Sequence, residues 1–352
     1  MPALPDPSVW RGRRVLVTGH TGFKGGWLAL WLAELGAEVY GLARPPRHAP
    51  GVYELAGVRE ALAGEHAVDV RDASAVAAAL SATAPEVVMH LAAQAIARRA
   101  FDDPATTWAV NVGGTVNVLQ ALPDSVRAVL VVTSDKCYRD VADGRRMREE
   151  DALGRSDPYS ASKAAQELVA ASFRDSALAQ RGIAVATARA GNVLGGGDCA
   201  PDRLVPDAVR AARAGAPVVV RNPDAVRPWQ HVLNPLNGYL VLAERLLEGH
   251  AAEAWNFGPE ASDERPASWL VERLAQHWPG GIEVRVQSDG RGGQEAPVLR
   301  LDCSKAHARL GWSIRWNLET AIEATVDWYA SSPAEATRRQ IAAFTGGRGA
   351  RG

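Results

Sequence analysis

Short runs of β-branched and aliphatic residues alternate with longer segments rich in alanine and leucine through the first half of the chain. The runs Arg14–Thr18, Glu38–Leu42, Ala67–Val70, Val87–Leu91, Ala128–Thr133 and Ile183–Ala188 predict strands, being short, apolar and bounded by glycine or polar residues. Between them, Gly25–Leu35, Ala73–Ala82, Pro104–Ala121 and Tyr159–Gln180 predict helices. In the first of these, Trp27, Leu28, Leu30, Trp31, Leu32 and Leu35 spread over too wide an arc for a surface helix, so most of it is expected to be buried. Strand and helix in strict alternation imply βαβ units and a parallel sheet with helices on both faces, an α/β, doubly wound Rossmann sheet.

After Gly191 the pattern changes. Glycine and proline become frequent, short strands are expected at Pro217–Arg221 and Ile282–Val286, and amphipathic helices start near Leu204, Pro235, Pro266, Ser304 and Leu318. This reads as a smaller mixed α/β C-terminal substrate lobe over 191–340, able to interleave with the sheet of a dinucleotide-binding domain at 1–190. The Arg/Gly-rich end gives 341–352 the character of a flexible tail.

Charge narrows the partners. Lys and Arg number 39 against 40 for Asp and Glu, a formal charge of −1, which leaves no broad footprint for nucleic acid or an anionic membrane. Any anion must be held locally. The cysteines Cys137, Cys199 and Cys303 are far apart and lack paired metal-ligand spacing, so neither a disulfide framework nor a metal site is expected, and a reducing cytoplasm suits them. The stretch MPALPDPSVWRGRR has no apolar core of a signal sequence, and Trp27–Ala33 is too short to span a bilayer. The 11 tryptophans are dispersed, as expected of core and pocket walls.

The segment VTGHTGFKGGW is the strongest local signal for chemistry. Gly19, Gly22 and Gly25 follow a predicted strand and open a helix, where glycine permits a tight turn and free backbone N–H groups face an anion. A plain glycine-rich turn is the competing reading; its place between the first strand and the first helix favours a dinucleotide. Thr21, Phe23 and Lys24 lie in the same loop. The second strand ends GLARPPR, with Arg44 and Arg47 and no carboxylate for the adenosine ribose. NAD is expected, with NADP the alternative that those arginines would favour. Asp69 and Val70 are placed towards the adenine, and Leu91, Ala92 and Ala93 of HLAAQ allow close approach to the cofactor.

In YSASK, Tyr159 and Lys163 stand at i and i+4 and so share a helix face. An ammonium beside a phenol stabilises the phenolate and is expected to lower its pKa. The strand ending Thr133-Ser134-Asp135-Lys136 adds a hydroxyl, a carboxylate and an amine. Together these make an oxidoreductase site.

The segments VTGHTGFKGGWLALWL, TSDKCY, DPYSASKAAQE, GNVLGGGD, DRLVPD, RPWQHVL, WNFGP and LRLDCSKA follow one another in an order that resembles the extended short-chain dehydrogenase/reductase enzymes acting on nucleotide sugars. The resemblance spans nearly the whole chain and is nearest in the 4,6-dehydratase branch, with CDP-glucose the favoured substrate. It implies an internal redox cycle. Tyr159 deprotonates the sugar 4-hydroxyl while C4 gives hydride to the nicotinamide, with Ser134 and Lys163 assisting; the 4-ketone acidifies C5, water is lost across C5 and C6, and the hydride returns to C6. Asp135 corresponds to the acid of the related TDP-glucose dehydratases, and Lys136 stands where they carry a carboxylate base. Asn192 and Arg227 resemble the family's diphosphate contacts. Gln94, Arg203, Leu204 and Arg221 are further expected substrate contacts, with Arg189 a weaker one, and GGGDCAPDR reads as a mobile loop over the sugar or a structural turn. Three positions depart from the family pattern: Asn234 replaces a glutamate, Gly293–Ala296 replaces a PHEA segment, and Arg44 replaces an apolar residue.

Two other readings stay open. A nucleotide-sugar epimerase would share the loop and the Tyr–Lys pair but would have no need of Asp135 and Lys136; a non-catalytic dinucleotide-binding regulator would have no need of Tyr159. The helices Pro104–Ala121 and Tyr159–Gln180 resemble those of a four-helix dimer interface, so a homodimer or homotetramer is expected.

Overall fold

The computed structural model describes residues 2–46, 50–139, 144–220, 222–286 and 299–346. Seven strands form the central sheet: β1 (Arg14–Thr18), β2 (Glu38–Ala43), β3 (Gly64–Ala67), β4 (Val87–His90), β5 (Ala128–Val132), β6 (Ala184–Ala190) and β7 (Ala254–Phe257). Their order is β7-β6-β5-β4-β1-β2-β3, every neighbouring pair parallel. Successive residues of one strand serve different cores. Val15 and Val17 face the layer that holds Trp27 and Trp31, while Leu16 faces the layer of Val76, Leu80 and Val118. Both faces are therefore apolar, which is why the strands read as unbroken hydrophobic runs.

The helices that position the site are α1 (Phe23–Glu34), α2 (Ala73–Thr83), α3 (Gly114–Gln120), α4 (Pro158–Asp175), α5 (Leu204–Arg213), α6 (Leu233–Leu247), α7 (Ala267–His277) and α8 (Leu318–Ala330). Chain order reverses between β1 and β4, and a crevice opens at the C-terminal strand ends there, as the doubly wound topology requires. Among the described residues no helix is long and apolar enough to cross a membrane.

Several elements differ from the sequence expectation. The third strand lies at Gly64–Ala67 rather than Ala67–Val70, because this edge strand is half-exposed and lacks an apolar run, whereas Val68 and Val70 lie in the connection that follows. Pro104–Ala121 contains a π-helical turn at Ala109–Gly113. The long helix from Pro158 stops at Asp175, and Ser176 breaks it before a single turn, Ala177–Gln180. The expected tail begins too early: Pro333–Thr345 is helical, and Ile341 and Phe344 are buried, the latter ring 5.5 Å from that of Trp31.

The segment after 191 re-enters the sheet. It supplies β7, and α6 packs over β5 and β6 with Leu236, Tyr239, Leu240 and Ala243 fully buried. The remainder forms a satellite core of Val205, Val209, Val220, Leu270, Leu274, Leu318 and Ile322 between α5, α7 and α8. Asn234 joins the two. Its amide donates to the Trp316 carbonyl at 2.8 Å and accepts from the Arg315 and Trp316 N–H groups at 3.1 and 3.3 Å, a donor-and-acceptor role that a glutamate carboxylate does not fill.

Within GGGDCAPDR, residues 195–203, expected as a mobile loop or a structural turn, the glycines are clamped on three sides. Trp27 Nε1 donates to the Gly196 carbonyl at 2.9 Å, Val52 N donates to the Gly197 carbonyl at 2.9 Å, and Gly197 N donates to the Tyr329 hydroxyl at 3.1 Å. A Cβ at Gly196 would lie 2.0 Å from the Trp328 ring, so glycine here serves close packing. Gly196→Ala is expected to destabilise the fold by about 2 kcal/mol or more through overpacking against a fully buried tryptophan. Urea denaturation followed by tryptophan fluorescence measures this, and an unchanged midpoint would show that the loop yields.

Candidate active site

One cavity of about 890 Å³ runs from the end of β1 across the strand ends into the C-terminal lobe. It is large enough to receive a dinucleotide and a sugar nucleotide side by side. Its floor is the turn after β1. Gly19 has φ +77° and its missing Cβ would sit 2.9 Å from the Ala92 backbone, while a Cβ at Gly25 would meet the Gly19 carbonyl oxygen at 2.1 Å. Side chains are excluded from this cradle, and Gly22 caps a helix of 12 residues whose N-terminal amides face it. These features fit the pyrophosphate of a dinucleotide.

Thr21, Phe23, Lys24, Arg44, Asp69, Val70, Leu91, Ala92, Ala93 and Thr133 all line the cavity. Arg44 forms an ion pair with Asp69 at 3.5 Å, and Asp69 also takes Arg71 at 2.8 Å. The Arg71 hydrogen bond is the main influence holding the Asp69 carboxyl below its ordinary pKa. Arg47 and Arg221 lie outside the described residues, as do Gly293–Ala296.

At the end of β5 the chain makes a single 3₁₀ turn, Asp135–Cys137, capped by Ser134, whose hydroxyl accepts from Lys136 N at 3.2 Å. The same hydroxyl donates to Asp135 Oδ1 at 3.0 Å, and Asp135 Oδ2 is buried with no hydrogen-bond partner among the described residues. Tyr159 and Lys163, from the first turns of α4, complete this end of the cavity, and Asp157 caps that helix through Ser160 N at 2.9 Å. The structure thus brings Ser134, Asp135, Lys136, Tyr159 and Lys163 to one wall.

Electrostatics here follow from burial. Loss of water raises the Asp135 carboxyl from its ordinary pKa, against the pull of Lys136, Ser134, Lys24 and Arg227. Lys163 falls to about 7, through burial and then the charge of Lys24. Lys24 falls to about 8, through burial and then Arg203, with Asp135 and Asp198 opposing. The expected lowering of the Tyr159 phenol is not found. Burial raises it, opposed by a hydrogen bond with Ser134 and by Arg203, because the Lys163 ammonium is turned to the Val132 carbonyl at 3.2 Å and Gln166 Oε1 at 2.8 Å.

On the substrate side, Asn192, Arg203, Leu204 and Arg227 line the cavity. Arg203 lies 3.6 Å from Asp198, and Arg227 is buried with one nitrogen on the Val226 carbonyl at 2.9 Å. Gln94 also reaches the wall, but its amide is committed to its own loop: it accepts from Ile96 N at 2.8 Å and donates to the Ile96 carbonyl at 3.1 Å and Thr107 Oγ1 at 3.0 Å. It shapes the wall rather than offering a polar contact to a sugar. Arg189 is not at the site; it pairs with Glu167 behind β6 at 2.9 Å, both side chains buried. Asp198 and Arg155 line the cavity without having been singled out in the sequence; only the GGGD and GRSD strings flanking the recognised motifs hinted at them.

Comparison with known proteins agrees with this geometry. Residues 15–258 match the NAD dependent epimerase/dehydratase family. The CDP-glucose 4,6-dehydratase of Salmonella typhimurium is 42% identical over 334 residues, covering 92% of each chain. Among solved structures, the dTDP-glucose 4,6-dehydratase DesIV of Streptomyces venezuelae with NAD bound is similar at a TM-score of 0.77 and 26% identity, over 90% of this chain and 97% of its own. The UDP-glucose 4-epimerase of Thermus thermophilus, in complex with NAD, is similar at a TM-score of 0.76 and 25% identity, over 91% of this chain and 99% of its own. A dinucleotide cradle, a Tyr–Lys pair and a match over most of the chain lead to one conclusion: the chain belongs to the NAD dependent epimerase/dehydratase family.

Proposed function

We propose that this enzyme is a nucleotide-sugar 4,6-dehydratase that converts CDP-glucose to CDP-4-keto-6-deoxyglucose and water. The observation that carries the reading is Asp135: a buried carboxyl with one unpartnered oxygen, on the same wall as Ser134 and Tyr159 and surplus to alcohol oxidation. The relative with 42% identity carries the activity in its name. An epimerase of the same family has no use for this group.

The cradle of Gly19, Gly22 and Gly25 would hold NAD, which would supply a hydride acceptor for C4 of the sugar and a hydride donor for C6. Tyr159 takes the proton of the 4-hydroxyl, and Ser134 hydrogen-bonds the oxygen that becomes the ketone. Lys163 shares the helix face of Tyr159, while the influences that oppose the burial of the phenol are the Ser134 hydrogen bond and the Arg203 charge. The ketone acidifies C5. Lys136 takes the C5 proton directly or through water, and Asp135, whose carboxyl pKa burial raises, gives a proton to the departing 6-hydroxyl. Asn192, Arg203 and Arg227 hold the diphosphate, with a guanidinium fork matched to its oxygens.

NAD is favoured over NADP because Asp69 faces Arg44. That carboxylate neutralises the cation a 2′-phosphate would require and repels the phosphate itself. For assembly, Trp108 and Leu168 remain 41% and 64% exposed on the helices Pro104–Trp108 and α4, which favours a homodimer through these helices. The absence of a disulfide among Cys137, Cys199 and Cys303 suits a cytoplasmic setting.

Incubation with CDP-glucose should yield a 4-keto-6-deoxy product detected by mass and by its absorbance in alkali; recovery of only a C4 or C2 epimer would sink the dehydratase reading. Tyr159→Phe is expected to lower kcat by about 10²–10⁴-fold. Asp135→Asn should slow elimination by about 10²-fold or more while sparing C4 oxidation, so that the near-ultraviolet absorbance of reduced nicotinamide builds up. Full turnover by Lys136→Ala, with solvent exchange at C5 intact, would remove Lys136 as base. Trp108→Arg combined with Leu168→Arg should yield monomers in light scattering; an unchanged mass would place the interface elsewhere.

A further inference from the structure

A buried chain of polar groups links Lys163 to the strand ends that carry the dinucleotide loop, and each group's orientation follows from its neighbours. Lys163 Nζ donates to Gln166 Oε1 at 2.8 Å, and Gln166 Nε2 donates to Thr115 Oγ1 at 2.8 Å. Thr115 uses its single proton on the Asn111 carbonyl at 2.7 Å, so His90 Nε2, 3.0 Å away, must be the donor in that contact. His90 Nδ1 is then the acceptor for the Thr18 hydroxyl at 2.8 Å, and the Thr18 oxygen accepts from the Leu91 and Ala92 N–H groups at 3.1 and 3.0 Å. Thr18, His90, Thr115 and Gln166 are fully buried. Turning the Gln166 amide over would set its N–H₂ against the Lys163 ammonium, so its orientation is fixed as well.

The choice of an amide matters because its neighbour is a carboxylate. Glu167 is occupied by Arg189 through two contacts of 2.9 Å and by Thr187 at 2.6 Å, so its charge is already matched. Gln166 gives Lys163 a strong acceptor without a counter-charge. An acid at that position would neutralise the ammonium and leave little of its field for Tyr159.

We infer that Gln166 is a positioning residue for the oxidation step: with His90 as its neutral Nε2–H tautomer, it anchors the Lys163 amine to the ends of β1 and β4 on the helix face that Lys163 shares with Tyr159. The inference rests on the reading of Tyr159 and Lys163 as the oxidising pair. Burial and the Lys163 charge lower His90 to about 3, so the relay keeps one polarity through the working pH range. The other groups facing the pair are Lys24 of α1, Asp135 and Cys137 of the turn after β5, Asp157 and Glu167 of the α4 segment, and Arg203 before α5. All are left intact in the test below.

The test is the pH profile of kcat/KM for Gln166→Glu and Gln166→Met, beside Tyr159→Phe and thermal melts of each. Phenolate is the active form, so activity rises with pH through the phenol's pKa. Gln166→Glu adds negative charge near the pair, raises that pKa and moves the acid limb to higher pH by about one unit. Gln166→Met keeps the volume but removes the acceptor; Lys163 loses charge, the limb moves the same way, and kcat falls about tenfold with KM little changed. If Gln166→Glu does not fold, Gln166→Met decides alone. A packing role would lower the melting temperature and leave the limb in place. Folded variants with a wild-type acid limb, while Tyr159→Phe is inactive, overturn the inference; an active Tyr159→Phe overturns the underlying reading instead.

Discussion

Backbone meets backbone where β1 and β4 end, and at Gly19 there is no room for even one methyl group against Ala92. This contact fixes the depth of the crevice at the chain reversal, and the rest of the site is set out from it. Thr18, one residue earlier, caps the amides of Leu91 and Ala92 and so holds the two strand ends in register. From the same point a line of buried hydrogen bonds reaches α4. The cofactor cradle and the Tyr159–Lys163 wall are therefore parts of one rigid construction.

Burial gives this construction its chemistry. Lys24, Lys163, Asp135 and Tyr159 share one dry cavity, and loss of water pushes each towards its neutral form. Two amines with pKa values of about 8 and about 7, a raised carboxyl and a raised phenol make a site whose protons are easily redistributed by an incoming charge. A diphosphate brings that charge. Its negative oxygens near Lys24 and Arg203 would favour the ammonium forms, so substrate binding itself helps to charge the wall that then acts on the sugar.

Much of this is legible in the sequence, for reasons that can be located. The inner strands stand out because both their faces are covered, which makes them continuous apolar runs; β3 is misplaced because an edge strand of Gly64, Glu65 and His66 carries no such run. The candidate catalytic cluster is legible because local geometry fixes it: i to i+4 spacing for Tyr159 and Lys163, and consecutive residues at one strand end for Ser134, Asp135 and Lys136. Side-chain allegiance is not. Arg189 reads like a phosphate ligand until Glu167 is seen behind it, Gln94 like a sugar contact until its amide is traced to Ile96, and Gln166 like an ordinary helix residue. Those assignments depend on contacts that periodicity does not encode. For the glycines at 195–197 the sequence leaves a mobile loop and a structural turn open, and only the packing of Gly196 on Trp328 decides for the turn.

The seventh strand has a consequence for how the protein is made. Because β7 and α6 belong in sequence to the second half and in space to the first, a nascent chain emerging from the ribosome holds an unclosed sheet, with the flank of β6 bare, until residue 257 is released. The cofactor half is then unable to mature ahead of the substrate half. The same interlock restricts evolution by module exchange: a substrate lobe grafted from a relative must bring its own β7 and α6, or the recipient sheet loses an edge.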